Sequence, residues 1–442
     1  HAAKRTISVC SALELLRQAL LESEAADPVV PLLTAWIENL EEEYPGFSSA
    51  EPEGRWPAIA AAAEMGADGR TGVASPGFGE FPPDRTGATP LSDRTTALAA
   101  GDLSVRLPPG VWAASRGRLD VDGFRVERLD VLSGRAPFSL TVGRGAAGYG
   151  FANGGSVVLS GTAPLDRIDV STTRPFRLPA PLAGLGTISL NTFVGQLREA
   201  RHVDRPFLWG AKVSLRPHSR LTLAIHRAAM FGGDDGDPIT AKRLLDMIIG
   251  RVAGVGFENQ VVSVEGILRL PTESVLPLSI YMEWGAEDAA GAWWDVPGRV
   301  IGGYVPTVPG LAQVSLGVEY ASLAPSCCDN PEWYRHWSFP GSWVRWDQPL
   351  GHSLGGHGTE WRTYADVQMP SLRIVADGAA FRRSRGYENL FVPGRDGTSW
   401  GAGAGLRWRP AGSSEIFGSA AIEEGDRWRE RSFNLGARLF IP

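Results

Sequence analysis

The residues best able to do chemistry cluster between Ala324 and Gly358. There Trp333, Tyr334, Arg335, His336, Trp337, Trp343 and Arg345 interleave aromatic faces with cationic donors. Aromatic faces stack on sugar rings, and guanidinium or imidazole donors bind hydroxyls and carboxylates. These seven are therefore candidate polysaccharide-binding residues. The same composition suits a plug packed over a lumen, or an aromatic belt at a membrane interface. The two packing readings together outweigh direct glycan contact, and the sequence leaves all three open. A loop this long without alternation is usually functional.

Other candidate chemistry is weaker. His336, His352 and His357 would suit a metal, but no carboxylate stands at fixed spacing, so hydrogen-bonded loop histidines are preferred. Asp234, Asp235 and Asp237 lack the EF-hand spacing and read as a solvated, helix-capping loop. From Asp237-Pro238 a short helix is expected, carrying Leu244, Leu245, Ile248 and Ile249. GRGAAG, from Gly143 to Gly148, is followed by Val157, Val158 and Leu159, which suggest a strand where a phosphate loop needs a helix. Cys10, Cys327 and Cys328 make neither a disulfide framework nor a zinc site. No G-x-S-x-G stands between strand and helix, and the adjacent Glu287 and Asp288 would point opposite ways along a strand. No catalytic residue, metal or cofactor is assigned.

The elements that position these loops show in Asn259 to Asp288. Val262, Val264, Leu268 and Leu270 share one parity, and Ser263, Glu265 and Arg269 the other. After a turn at Pro271 to Ser274, Leu278, Ile280, Met282 and Trp284 alternate with Ser279, Tyr281 and Glu283. Period two means strands. Apolar-out, polar-in strands ending in an aromatic describe a transmembrane barrel, though a soluble sheet also alternates. In the barrel reading Val264→Arg should impair insertion, while Glu265→Arg should be much milder.

Composition permits the barrel. Mean hydropathy is −0.09, and no charge-free run makes a convincing membrane helix: the candidate Leu178 to Leu197 is broken by Pro179 and Pro181. The 54 glycines suit turns and bends, and 15 tryptophans suit interfacial belts, sugar platforms or a core. A net charge of −6 gives no broad basic surface for nucleic acid.

Along the chain, Ser11 to Ser23 and Pro28 to Tyr44 carry helical stripes. Residues 1–48 are thus expected to form a small helical segment packed against one end of a β domain spanning 55–442. No signal peptide is visible, and a start at His1 is consistent with processing. Trp56 to Ala67 is ambiguous, and Gly72 to Leu91 reads as an ordered loop. Asp122-Gly123 marks a hairpin. A second hairpin is expected from Phe207 to Met230, turning at Arg216-Pro217-His218-Ser219. The last strand alternates Phe433, Leu435, Ala437, Leu439 and Ile441 against Ser432, Asn434, Gly436 and Arg438.

Four segments in order carry a family resemblance: Arg174 to Leu197, Pro206 to Gly233, Asn259 to Asp288, and Gln348 to Gly358. The set resembles the Wzi capsule-assembly family of Gram-negative outer-membrane proteins. One piece departs: where that family has a WWGPG-like segment, Gly148 to Gly155 reads GYGFANGG. The resemblance implies an all-β transmembrane barrel of about 18 antiparallel strands, a small N-terminal helical segment on its periplasmic side, and extracellular loops that close the pore. It implies no catalysis, but lectin-like binding of capsular or extracellular polysaccharide, in outer-membrane lipid, as a monomer or in a partner complex. A porin, or an outer-membrane hydrolase, remains the rival reading.

Overall fold

Alternation along nearly the whole chain resolves into one closed sheet in the computed structural model. The structure describes residues 58–71, 95–107, 111–135, 137–197, 203–234, 236–251, 256–272, 275–287, 297–311, 313–323, 348–387, 389–392 and 394–441. It also describes 16, 17, 19–21, 33, 34, 36–38, 333, 334, 336, 338, 339 and 343–345.

Eighteen long strands run antiparallel. They are β1 (Ala58–Thr71), β2 (Thr96–Arg106), β3 (Val111–Asp120), β4 (Gly123–Arg135), β5 (Phe138–Gly148), β6 (Ser160–Thr172), β7 (Thr187–Gln196), β8 (Phe207–His218) and β9 (Leu221–Phe231). The remainder are β10 (Glu258–Arg269), β11 (Ser279–Glu287), β12 (Gly298–Val305), β13 (Val314–Ser322), β14 (Gly358–Met369), β15 (Ile374–Arg385), β16 (Gly397–Ala411), β17 (Ser414–Gly425) and β18 (Arg429–Ile441). Each pairs with its neighbours in the chain, and β18 closes the ring on β1 with Ala61 opposite Ile441. Closure satisfies the backbone of every strand and leaves no open edge, which a lipid setting demands. An even count brings the two ends of the sheet to one rim. We call it the terminus end, and the opposite rim the loop end.

The outer wall is apolar. Val264, Ile280, Met282, Leu406, Leu435 and Leu439 are exposed, while Glu265, Tyr281, Glu283 and Asn434 on the opposite parity are buried. The alternation read from the sequence therefore points its aliphatic side outward. Towards the loop end the band meets aromatic residues: Tyr320, Trp361, Arg382 and Trp400 are successive register partners on four adjacent strands. Tyr320 and Trp361 lie 4.7 Å apart, and the Arg382 guanidinium sits 5.5 Å from the Trp400 ring. This is the girdle expected where lipid meets water.

The lumen is filled with paired charges. Arg116 bonds Glu64, Asp102 and Glu127 at 2.8, 2.6 and 2.8 Å. Arg383 contacts Glu360 and, at 3.2 Å, Glu423, which also takes Arg385 at 2.8 Å. Charges removed from water need such partners. Glycines make room for inward aromatics: a Cβ on Gly302 would meet the Tyr281 ring at 2.2 Å.

Several expectations need correction. The ambiguous alanine-rich stretch is β1, its small residues alternating Ile59 outward with Ala60 inward. Arg216, Pro217 and His218 belong to β8, so the hairpin turns at Ser219-Arg220. Val157, Val158 and Leu159 form no strand; they enter the lumen and are wholly buried. The short helix starts later than Asp237-Pro238, as α1 (Ala241–Ile249), capped by the Thr240 hydroxyl accepting from the Arg243 N–H at 3.3 Å. The described parts of the two N-terminal segments are helical, and Trp36 Nε1 donates to Gln368 Oε1 at 2.7 Å, near the terminus end of β14. Gly72 to Leu91 and all three cysteines lie outside the described residues.

Candidate functional site

Two loop segments fold into the loop end of the lumen and bind each other. The first, 149–159, joins β5 to β6. The second lies in the long connection from β13 to β14. Glycine permits the first segment's path: Gly155 has φ +115°, and a Cβ there would meet Ser160 Oγ at 2.3 Å.

Glutamates on the inward parity of three strands hold the first segment. Glu265 on β10 accepts the Phe151 N–H at 2.9 Å. Glu283 on β11 accepts the Ser156 hydroxyl at 2.8 Å and the Val157 N–H at 3.1 Å. Glu319 on β13 accepts the N–H groups of Asn153 at 2.8 Å and Gly154 at 3.0 Å, and the Tyr281 hydroxyl at 2.7 Å. Backbone N–H groups in a loop lack ladder partners, and charged acceptors supply the strong bonds such buried donors need.

The second segment locks the first from above. The Tyr334 hydroxyl donates to Val157 O at 2.6 Å and accepts the His352 N–H at 2.9 Å. Trp343 Nε1 donates to Val158 O at 3.0 Å. Tyr334 and Trp343 stack with ring centroids 6.4 Å apart. Burial pushes the Tyr334 hydroxyl well above its ordinary pKa, so it stays a donor. A third loop, between β15 and β16, leans on the second: Asn389 Nδ2 donates to Leu354 O at 2.9 Å. Its Arg395 pairs with Glu430, and burial pulls that guanidinium down to about 10 against the opposing pull of Glu423. Below the turn at Tyr149 and Phe151 a cavity of about 200 Å³ remains, bordered by Arg167, Asp169, Asn191 and Lys212.

The sequence candidates divide accordingly. Trp333, Tyr334, Trp343 and Arg345 are 2%, 0%, 0% and 2% exposed, out of a sugar's reach, and they form the plug. Arg345 Nε donates to Pro164 O on β6. His336 is half-buried and bonds the Ser338 hydroxyl at 2.6 Å. Arg335 and Trp337 lie outside the described residues. Sequence reasoning missed the glutamates and Tyr149 to Leu159. Their signal was the glycine-rich run itself, which frees backbone groups that must find partners.

The three histidines do not converge. His336 faces Ser338, and His357 Nε2 accepts the Trp333 N–H at 3.0 Å. His352 Nδ1 accepts the Leu354 N–H at 3.1 Å, so its Nε2 faces Glu319 at 3.9 Å. Among the described residues Glu319, His352 and Glu360 bring ligand atoms within 4.8 Å. They fit an ion poorly: Glu319 is spent on the plug, and Glu360 on Arg362 at 2.8 Å and on Arg383. In the acidic loop, Asp234 pairs with Arg205 and Asp237 with Arg243 at 3.0 Å; Asp235 lies outside the described residues. Ser353, within GHSLG, is in a turn with no helix after it and accepts from Arg383 Nη2 at 3.3 Å.

The family model described as capsule assembly protein Wzi matches residues 94–377. Among solved structures, the chain is similar to Wzi of Escherichia coli, described as an outer-membrane carbohydrate-binding β-barrel involved in group 1 capsule assembly. That match has a TM-score of 0.74 at 14% identity, over 99% of this chain and 94% of that one. Pseudomonas aeruginosa OccD3 (OpdP) matches with a TM-score of 0.51 at 8% identity, over 88% of this chain and 92% of that one. At these identities the likeness is one of fold. A comparison with curated proteins finds none that matches.

Proposed function

The chain belongs to the Wzi capsule assembly family, and from that premise we propose that it binds surface polysaccharide as an outer-membrane barrel and acts without turnover. The observation that carries this reading is the plug. Three inward glutamates and the Tyr334–Trp343 pair are engaged in holding loop backbone inside the lumen. A diffusion porin needs that space open, and a glycosidase needs two carboxylates left for chemistry.

The loop end then serves as a platform. The buried Trp333, Tyr334, Trp343 and Arg345 fix it from within, and the half-buried His336 is the described candidate nearest its surface. Tyr387, in the neighbouring loop, is 77% exposed and offers a flat face for a sugar ring. Long loops face outward and short turns inward in barrels of this class, so the platform looks away from the cell and the helical segment lies on the periplasmic side. The barrel works as a monomer surrounded by lipid.

Capsule retention by cells carrying Tyr387→Ala tests the platform. Retention should fall while the barrel stays heat-modifiable and non-conducting. Unchanged retention removes Tyr387 from the site; increased conductance would make its loop part of the seal instead.

A further inference from the structure

The loop between β9 and β10 leaves the lumen and places α1 against the outside of the wall. Met247 is buried with Ala229, Phe231 and Phe257, and Phe207, Trp209 and Leu244 pack on that cluster. Phe207 and Trp209 occupy the outward parity of β8, whose inward positions are Leu208, Gly210 and Lys212. Phe231 lies on the outward parity of β9, opposite to the buried His226 and Ala228.

The rest of the apolar side of α1 is uncovered. Leu245, Ile248 and Ile249 are 58%, 49% and 52% exposed, and Ile239, just before the helix, is also exposed. On a helix these positions lie three and four apart and form one face. Three aliphatics gathered on one uncovered face mark an interaction surface.

The surroundings fix what covers it. Further down the same strands Val213, Leu223 and Ile225 are exposed on the outward parity, so the uncovered face of α1 continues the apolar band. Arg227 marks the height. It faces outward, its guanidinium is 5.8 Å from the Trp209 ring, and it bonds Ile248 O at 3.2 Å and Gln260 Oε1 at 2.9 Å. An arginine over a tryptophan on the outer wall is the pairing seen at the lipid–water boundary elsewhere on this barrel, at Arg382 and Trp400. On the helix's polar flank Lys242 is 86% exposed and reaches Asp246 at 2.6 Å.

We propose that α1 is an interfacial helix, lying in the outer leaflet with Leu245, Ile248 and Ile249 among acyl chains and the Lys242–Asp246 flank in the headgroup layer. The occupant of this face is lipid. Amphipathic helices lie at membrane surfaces in this way, apolar face down and polar face to water. The helix would widen the barrel's footprint on one side of the loop end and fix its depth there.

The inference rests on the barrel being membrane-embedded, so the test carries a control for that. A full-length variant with Cys10, Cys327 and Cys328 changed to Ser receives one nitroxide at Ile248→Cys, Lys242→Cys or Val264→Cys, and is reconstituted in phosphatidylglycerol-containing bilayers. Power-saturation electron paramagnetic resonance reads collisions with apolar oxygen and with water-soluble nickel chelate. The expected result is an oxygen-dominated label at 248 and 264 and a chelate-accessible label at 242. Chelate-dominated labels at both 248 and 242, with 264 still oxygen-dominated, would overturn the helix assignment alone. Chelate access at 264 as well would overturn the membrane reading beneath it. Dipolar broadening at 248, lost on dilution with unlabelled protein, would assign the face to a second copy and overturn the lipid assignment.

Discussion

Glu283 on β11 accepts the backbone N–H of Val157 at 3.1 Å, joining residues 126 positions apart in the chain. A lumenal carboxylate thereby holds a loop that enters between β5 and β6, strands not adjacent to its own, and the same glutamate also binds Ser156 at 2.8 Å and Ser263 at 2.7 Å. Glu283→Ala removes a charged acceptor from three buried donors, each such bond being worth about 1.5–3 kcal/mol. The barrel, closed by its own ladders, should still fold. In planar bilayers the variant should show channel openings that the parent lacks; a silent variant would mean that Glu265 and Glu319 suffice to hold the segment.

Tyr334→Phe strips the Val157 carbonyl of a donor and the His352 N–H of an acceptor, at a cost of about 1–3 kcal/mol for each buried group left unpaired. Added protease should cut the loops between β5 and β6 and between β13 and β14 faster than in the parent, while the strands resist. Equal cutting rates would show that Trp343 alone secures the lock.

The hydroxyl of Tyr334 also sets an alkaline limit. Its pKa is raised in the folded state by burial, so the unfolded chain loses this proton first. The stability it contributes is complete below the ordinary tyrosine value of about 10 and falls as pH rises beyond it. Absorbance at 295 nm should show no contribution from Tyr334 near that value in the folded parent. Tyr334→Phe should leave that native titration unchanged.

Much of this was legible beforehand, for a physical reason. Strand parity is local, so Val264 outward and Glu265 inward could be read from the order of residues, and so could the hairpin at Asp122-Gly123. Partners across the lumen are not local. Nothing within ten residues of Glu265 marks Phe151 as its partner, so the order of residues gives the milder effect of Glu265→Arg on insertion but not its effect on the plug. The substitution would strand the Phe151 N–H and set a second cation beside Lys212, which lies 3.5 Å from the carboxylate. The tryptophan-rich loop was recognisable as a plug or a platform, but which side chains face inward depended on Val157 and Val158, residues that looked like a strand.

The pair of substitutions still separates wall from lumen. Val264→Arg puts a charge on the lipid face and should weaken insertion by about 2–4 kcal/mol near the midplane. Glu265→Arg should insert, yet conduct. Folding yields into bilayers, followed by conductance, distinguish them; two variants that both insert normally would contradict the outward assignment of Val264.

Removing residues 1–48 should leave a heat-modifiable barrel, because the eighteen strands close without them. The contact of Trp36 with Gln368 would be lost. Loss of all folded barrel would show that the helical segment is needed to close the ring.

The central claim is that a plugged barrel of the Wzi family holds polysaccharide and does not process or conduct it. Its most direct test is equilibrium binding of purified capsular polysaccharide to the full-length protein in lipid nanodiscs, with polymer length measured before and after. Saturable binding with unchanged polymer length is the expected result. Absence of binding to every capsular polymer offered, or binding accompanied by shortening of the chains, would contradict it.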